Sequence, residues 1–166
     1  QSKLTLISAP AGFGKSTLLA EWLANPTEGS VTAWLSLDPG DDHPVAFWTH
    51  VIAALRTARP GIGAGAMAML ESPARPIEAV LAPLLNELDA QSDETVLVLD
   101  DYHTIDSPEV RAGMSFVLDH LPAHVRLVVA SRTDPALPLA RMRARGELIE
   151  IRAGDLRFTA DEADAY

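Results

Sequence analysis

The sequence contains no cysteine, which excludes disulfide bonds and thiolate metal sites. No apolar run approaches the ~20 residues that a membrane-spanning helix needs. Positive charge is also scarce, because 13 lysines and arginines stand against 23 aspartates and glutamates, for a formal net charge of −10. A basic footprint for nucleic acid is therefore absent from the chain as a whole. We expect a cytoplasmic protein with no membrane partner, in which any DNA contact belongs to another part of the protein.

The 166 residues suit one domain with a sizeable core, since 48% of them are apolar and 22% charged. We therefore expect residues 1–166 to form a single domain. The chain begins with Gln1, and residues 159–162 (TADE) have the capping-box pattern of a helix that starts just before the end. Both features predict a fragment of a longer multidomain protein.

Five short apolar runs predict β-strands, at residues 3–8, 31–37, 95–100, 125–131 and 147–152. The third and fourth are almost continuously apolar, as in strands that are buried on both faces of a parallel sheet. Segments with apolar residues at helical spacing lie between them. The alternation predicts an α/β fold with a five-stranded parallel sheet flanked by helices. We expect Pro83 to kink or split one helix, and Trp22, Trp34 and Trp48 to lie in the core.

The segment APAGFGKST, residues 9–17, follows the first strand and opens a helix, as a phosphate-binding P-loop does. Ala9 stands where the pattern G-x-x-x-x-G-K-[ST] has its first glycine, which is a mild change if the backbone φ there is negative. Glycines let successive N–H groups point at phosphate oxygens, and the helix dipole adds positive charge. The predicted nucleotide-binding residues are Ala11, Gly12, Phe13, Gly14, Lys15, Ser16 and Thr17.

Within this loop we expect Lys15 to reach the β- and γ-phosphates, Ser16 to offer its hydroxyl to Mg²⁺, and Thr17 to bind the α-phosphate. The alternative is a glycine-rich turn before a helix, with a solvated lysine.

The run VLVLDD, residues 96–101, is a buried strand that ends in two carboxylates, the Walker B arrangement. We expect Asp100 to hold Mg²⁺ opposite Ser16, and Asp101 to orient or deprotonate an attacking water. A strand-end acid can also be a cap or turn, and Asp101 could equally be a structural partner.

Two further groups of residues follow predicted strands, at the edge where ligands of such sheets bind. Arg132 is placed to sense a γ-phosphate, or else it is an ordinary surface arginine or forms an internal ion pair. Asp38, Asp41 and Asp42 could support the metal site, although turn formation around residues 38–40 explains them as well.

Four blocks of sequence resemble the MalT-like transcriptional regulators, the large ATP-dependent members of the LuxR class within the STAND group of P-loop ATPases. The blocks are SAPAGFGKSTLLAEW, WLSLDPGDDHPVAFW, VLVLDDYH and ASRTDPALPLARMRARGELIEIRAGDLRFTADEA. The resemblance implies an AAA+-like, three-layer P-loop fold in which the Arg132 strand lies between the P-loop strand and the Walker B strand. It also implies that Lys15 and Ser16 belong to the P-loop, Asp100 and Asp101 to Walker B, and that Arg132 is the sensor arginine.

The resemblance further implies an ATP- or ADP-binding, Mg²⁺-dependent switch within a transcriptional regulator. Slow ATP hydrolysis would control self-association, and DNA would be bound only through a domain outside this chain. Two alternatives stay open. The first is a catalytic P-loop enzyme, such as a motor ATPase or a small-molecule kinase with residues 141–145 as a candidate lid. The second is the same module attached to a protein kinase.

Overall fold

The computed structural model describes residues 2–24, 29–72 and 75–156. Its centre is a sheet of five strands, all parallel, in the order β2-β3-β4-β1-β5. The strands are β1 (Leu4–Ser8), β2 (Val31–Ser36), β3 (Thr95–Asp100), β4 (Val125–Ser131) and β5 (Leu148–Arg152). All five agree with the sequence-based prediction to within one residue at each end. The position of β4 between β1 and β3, which the family resemblance implied, is also confirmed.

The order of the sheet follows from burial, because the strands with the most apolar sequences take its centre. Every residue of β3 is buried, and so are all residues of β4 except Arg126. The edge strands β2 and β5 have mostly half-exposed residues. A parallel strand buried on both faces cannot tolerate polar side chains within its length. The polar residues of β3 and β4 therefore lie at the strand ends, with Thr95 and Arg126 at or next to the amino ends and Asp100 and Ser131 at the carboxyl ends.

Helices connect the strands: α1 (Lys15–Leu23), α2 (Pro44–Ala58), α3 (Ala64–Leu70), α4 (Ile77–Asp89), α5 (Pro108–His120) and α6 (Leu139–Ala144). Short 3-10 helices occupy Pro39–Asp41 and Tyr102–Thr104. Helix α3 was not predicted, since its sequence AGAMAML lacks a long apolar stripe. The helix expected from residues 159–162 lies outside the described residues. Within the described ranges, no helix is long and apolar enough to cross a membrane.

The larger core lies on the face of the sheet that carries α2, α4 and α5. Helix α4 continues through Pro83, so the expectation of a split helix is wrong. Loss of one backbone hydrogen bond and the clash of the ring cost about 3 kcal/mol. Burial of a leucine stabilises by about 1.5–3 kcal/mol, and α4 buries Leu81, Leu84, Leu85 and Leu88. Packing on this face therefore outweighs the local penalty of the proline.

The opposite face of the sheet has a smaller core, and α1 is the one described helix that packs there. Leu19 of α1 is buried against Val98 and Val128, whereas Trp22 on the same helix is 48% exposed. The expectation of a core position is therefore confirmed for Trp48 and wrong for Trp22. Helix α1 is too short and too lightly packed to bury its full apolar stripe.

Gly113 provides a test of how tightly the larger core is packed. A Cβ atom added there would lie 2.7 Å from Cζ2 of Trp48, whose ring is fully buried and cannot move aside. We expect Gly113→Ala to lower the free energy of unfolding, because overpacking costs about 1–3 kcal/mol. Gly65→Ala is the matched control, since a Cβ atom in α3 would approach nothing closer than Oε1 of Glu87 at 4.0 Å.

Both substitutions bring a similar gain in helix propensity, so the difference between them isolates the contact with Trp48. Denaturant unfolding of the two variants checks the prediction. Equal stability of the two would show that the core around Trp48 can relax.

Candidate functional site

The loop between β1 and α1 has the backbone conformation that its glycines predict. Gly12 has a φ of 84° and Gly14 a φ of 71°, both in the left-handed region that favours glycine. Gly14 is the N-cap of α1, so the free N–H groups of the first helical turn open into this loop. Ala11 and Gly12 are exposed, which leaves the concave side accessible to an anion.

Ala9, which replaces the first glycine of the usual pattern, causes no strain. Among the described residues, Asp101 is the one non-glycine with a positive φ, so Ala9 does not need the freedom of glycine. Its methyl group is buried. Its N–H donates to the carbonyl of Ser131 at 3.2 Å, which ties the beginning of the loop to the end of β4.

The side chain of Lys15 folds back over its own loop. Its Nζ donates to the carbonyl oxygens of Ala9 at 2.7 Å and Pro10 at 2.9 Å, and the residue is only 8% exposed. Burial lowers the pKa of Lys15, and repulsion by the nearby Arg132 guanidinium lowers it further. The ammonium group therefore lies inside the concave loop, where a phosphate would contact it directly.

Ser16 and Asp100 are brought together although they lie 84 positions apart. The Ser16 hydroxyl donates to Oδ2 of Asp100 at 2.8 Å, and the N–H of Asp101 donates to Oδ1 at 2.9 Å. Asp100 is buried at the carboxyl end of β3. A hydroxyl and a carboxylate oxygen are ligands that Mg²⁺ prefers, so the pair could hold a divalent cation beside the P-loop.

Asp101 has a backbone conformation that few non-glycine residues adopt. With a φ of 55°, it begins the short helix Tyr102–Thr104, and its carbonyl accepts from the Thr104 hydroxyl at 3.0 Å. The Asp101 side chain is 46% exposed, and Nδ1 of His103 lies 3.7 Å from its Oδ1. Such strain persists where the surroundings hold it, and it recurs at functional sites. The carboxylate could contact a water molecule beside the loop.

Arg132 follows β4 on the same edge of the sheet. Its side chain is exposed and has no hydrogen bond or ion pair with any residue in the described part of the chain. It is close enough to Lys15 to repel the ammonium group. The preceding residue, Ser131, is fully buried, and its hydroxyl has no hydrogen-bond partner among the described residues. Ser131 is not among the site residues predicted from the sequence, although a hydroxyl at the end of an apolar strand is a signal for it.

The aspartates that follow β2 have structural partners. Asp38 and Asp41 form a capping box around the helix Pro39–Asp41, and buried Asp41 also pairs with His50. Asp42 accepts from the N–H groups of Asp106 at 2.8 Å and Ser107 at 2.7 Å. Turn formation therefore explains these three side chains, and nothing assigns them to the metal site.

A chain of charged residues that the sequence did not predict runs from the end of β1 to β5. Oδ1 of Asp134 accepts from the Ser8 hydroxyl at 2.9 Å and pairs with Arg152. Arg152 also pairs with Glu150, which accepts from Nε and an Nη of Arg143 at 2.8 and 2.9 Å. Hydrogen bonds from Arg152 hold the pKa of Asp134 below its usual value, and those from Arg143 and Arg152 lower the pKa of Glu150 to about 2.

The remaining arginines of the candidate lid are also paired. Arg141 and Arg145 of the α6 region lie 2.7 and 3.9 Å from Oδ1 of Asp119. With Arg143 bound to Glu150, the segment is a packed helix with paired charges rather than an open cluster of positive charge. Within the described residues, no group of three or more acidic, histidine or cysteine side chains could hold a metal ion.

The sheet order and the site geometry define the fold class. The chain has the fold of the AAA+ P-loop ATPases. It superposes on Cdc6p from Pyrobaculum aerophilum with a TM-score of 0.56 and 18% identity, covering 91% of this chain and 39% of that one. A chain from a Drosophila ORC structure bound to AT-rich DNA and Cdc6 gives a TM-score of 0.50 and 13% identity, with coverages of 98% and 52%.

Sequence similarity identifies nearer relatives. The chain is 41% identical over 165 residues to the transcriptional regulator MalT of Cronobacter sakazakii, covering 99% of this chain and 18% of that protein. It is 36% identical over 165 residues to the serine/threonine-protein kinase PknK of Mycobacterium tuberculosis, covering 98% of this chain and 15% of that protein. No family model matches the chain. The resemblance to MalT regulators is therefore confirmed for one segment, which spans less than a fifth of those relatives.

The charged chain at β5 predicts a pH dependence of stability. Because the folded-state pKa of Glu150 lies below its ordinary value of 4.5, at about 2, ionised Glu150 stabilises the fold above pH 4.5. That contribution is lost as the pH falls from 4.5 towards 2. We expect the stability difference between the wild type and Glu150→Gln to be largest near neutrality and to shrink across this window. Denaturant unfolding at several pH values measures it, and a constant difference would contradict the prediction.

Proposed function

We propose that this chain is the nucleotide-binding switch domain of a multidomain regulatory protein, and that it binds ATP or ADP together with Mg²⁺. The observation that carries the proposal is the contact between Ser16 and Asp100 at 2.8 Å beside a glycine-rich loop that encloses Lys15. Similarity to MalT regulators along the whole chain supports a regulatory role.

The residues of the loop fit the triphosphate part of a nucleotide. The N–H groups of residues 11–17 and the first turn of α1 would bind phosphate oxygens. The Lys15 ammonium group would release its hydrogen bonds to the carbonyls of Ala9 and Pro10 and bind the β- and γ-phosphates instead. Thr17 would bind the α-phosphate. When bound, Mg²⁺ would neutralise phosphate charge, and Ser16 and Asp100 are the side chains that would hold it.

Two residues are assigned to hydrolysis. Asp101, held by the strained backbone and by Thr104, would orient a water molecule and accept its proton. Arg132 would contact the γ-phosphate, and its lack of ion pairs within the described residues leaves it available for this role. Because one exposed carboxylate and one exposed arginine are all that the described residues supply for this step, we expect slow turnover suited to a switch.

The output of the switch lies beyond this chain, which covers 18% of its MalT relative. We propose that nucleotide binding controls self-association of the whole protein, and that any DNA contact is made by another domain. The net charge of −10 supports that division of roles.

A second candidate function is the same module in a protein kinase. The similarity to PknK, 36% over 165 residues, favours it, because this segment occurs in a protein whose name states a kinase activity. The site residues and the tests below are the same for both candidates.

The first test of the nucleotide site is Lys15→Ala. We expect calorimetric titration to detect binding of ATP and ADP with Mg²⁺ by the wild type and no detectable binding by the variant. The physical reason is that a buried ammonium group is lost from the phosphate site. Lys3→Ala is the matched control, because Lys3 is the other lysine of the chain and pairs with Glu147 at the opposite end of β1.

Unchanged ATP affinity in Lys15→Ala would contradict the P-loop assignment. Equal losses in the Lys15 and Lys3 variants would show a general effect of charge or stability instead.

The second test concerns hydrolysis. We expect Asp101→Asn to keep ATP affinity within about twofold while lowering the turnover number by a factor of about 10²–10⁴, the usual contribution of a general base. Asn also tolerates the left-handed backbone at this position. Asp106→Asn, in the exposed loop before α5, removes the same charge nearby and should leave turnover unchanged. Phosphate release under saturating ATP is the measurement, and normal turnover in Asp101→Asn would remove its proposed role.

A further inference from the structure

The loop that carries Arg132 is anchored two residues further along, at Asp134. Oδ1 of Asp134 accepts a hydrogen bond from the Ser8 hydroxyl at 2.9 Å and also pairs with the Arg152 guanidinium. Ser8 is the last residue of β1 and directly precedes the P-loop. One carboxylate therefore joins the loop after β4 to the beginning of the phosphate-binding segment and to β5.

Arg152 is itself fixed in place. It lies beside Ser8 in the parallel register of β1 and β5, and its N–H donates to Oδ2 of Asp155 at 2.7 Å. Its guanidinium also pairs with Glu150, which Arg143 binds through two nitrogens. The backbone of Arg152 is thus fixed by the sheet, and its guanidinium is bound by Glu150. The positive charge opposite Asp134 therefore has a defined position.

The effect of the pair of Asp134 and Arg152 is geometric, since both side chains are too exposed for their contact to stabilise the fold much. Asp134 is 52% exposed and Arg152 38% exposed. Exposed ion pairs contribute little to stability, because solvent screens them. A bond between loop residue 134 and strand residue 152, however, restricts where Arg132 can lie. Without that restriction, binding a phosphate through Arg132 would also have to order the backbone of its loop, at an additional cost in conformational entropy.

We propose that Asp134 and Arg152 are positioning residues which hold Arg132 ready for the γ-phosphate, and that they thereby set the preference of the site for ATP over ADP. This inference rests on the proposed function. ADP has no γ-phosphate and makes no use of Arg132, whereas ATP does. Breaking the ion pair between Asp134 and Arg152 should therefore weaken the binding of ATP and leave the binding of ADP unchanged.

The experiment compares the affinities for ADP and for a non-hydrolysable ATP analogue, both with Mg²⁺, in the wild type, Asp134→Ala and Arg152→Gln. We expect about a tenfold loss for the ATP analogue in each variant, in the range of ordinary coupling between sites, and a change below twofold for ADP. Arg143→Gln is the control, because it removes only the contact between Arg143 and Glu150 and leaves Arg152 paired with both Asp134 and Glu150.

A double-mutant cycle tests whether the effect passes through Arg132. In an Arg132→Ala background, adding Asp134→Ala should cause no further loss of affinity for the ATP analogue. Arg152→Lys, which keeps the positive charge opposite Asp134, should restore most of the affinity that Arg152→Gln loses. If Asp134→Ala does not fold, the cycle is run with Arg152→Gln, which retains the bond between Ser8 and Asp134.

Three outcomes would overturn the inference. Equal losses of affinity for ADP and for the ATP analogue would show that the pair of Asp134 and Arg152 acts on the P-loop through Ser8. A full additional loss in the Arg132→Ala background would show that Asp134 acts independently of Arg132. Absence of nucleotide binding by the wild type would overturn the proposed function as well, which distinguishes that failure from the other two.

Discussion

The pairing of β4 with both β1 and β3 is the constraint on which the candidate site depends. By lying between the P-loop strand and the strand that ends at Asp100, β4 fixes their separation and brings its own end, with Arg132, to the same edge. The bond from Ala9 N–H to the Ser131 carbonyl then sets where the loop begins. Had β4 taken an edge position, β1 and β3 would be adjacent, without a place for Arg132 between the P-loop and Asp100.

Much of this arrangement could be predicted from sequence because it is governed by local rules. Strand limits follow from runs of apolar residues, and the cap of α5 follows from Ser107, whose hydroxyl accepts from the Val110 N–H. The left-handed conformations of Gly12 and Gly14 follow from the absence of a side chain. The strand order does not follow from such local rules. It was predicted from resemblance to a known family and not from the spacing of residues.

The features that escaped prediction depend on contacts between residues remote in sequence. Nothing near Asp134 indicates that its partners are Ser8 and Arg152, 126 and 18 positions away. Trp22 has the spacing of a core residue, yet its face of the sheet is covered by too little protein to bury it. A proline signals a break in α4, but the leucines around it supply more energy than it removes. In each case the outcome depends on the neighbours that packing supplies.

The light packing of α1 has a thermodynamic consequence for a ligand at its N-terminus. Leu19 is the one fully buried apolar residue that the described helix contributes, and such burial stabilises by about 1.5–3 kcal/mol, less than the 5–15 kcal/mol that holds a whole domain. We therefore expect local opening of α1 to precede global unfolding, and its amide hydrogens to exchange earlier than those of α5. A phosphate bound at Gly14 and Lys15 would stabilise this weakly packed helix directly. The protection of the α1 amide hydrogens from exchange would thus report whether a nucleotide is bound.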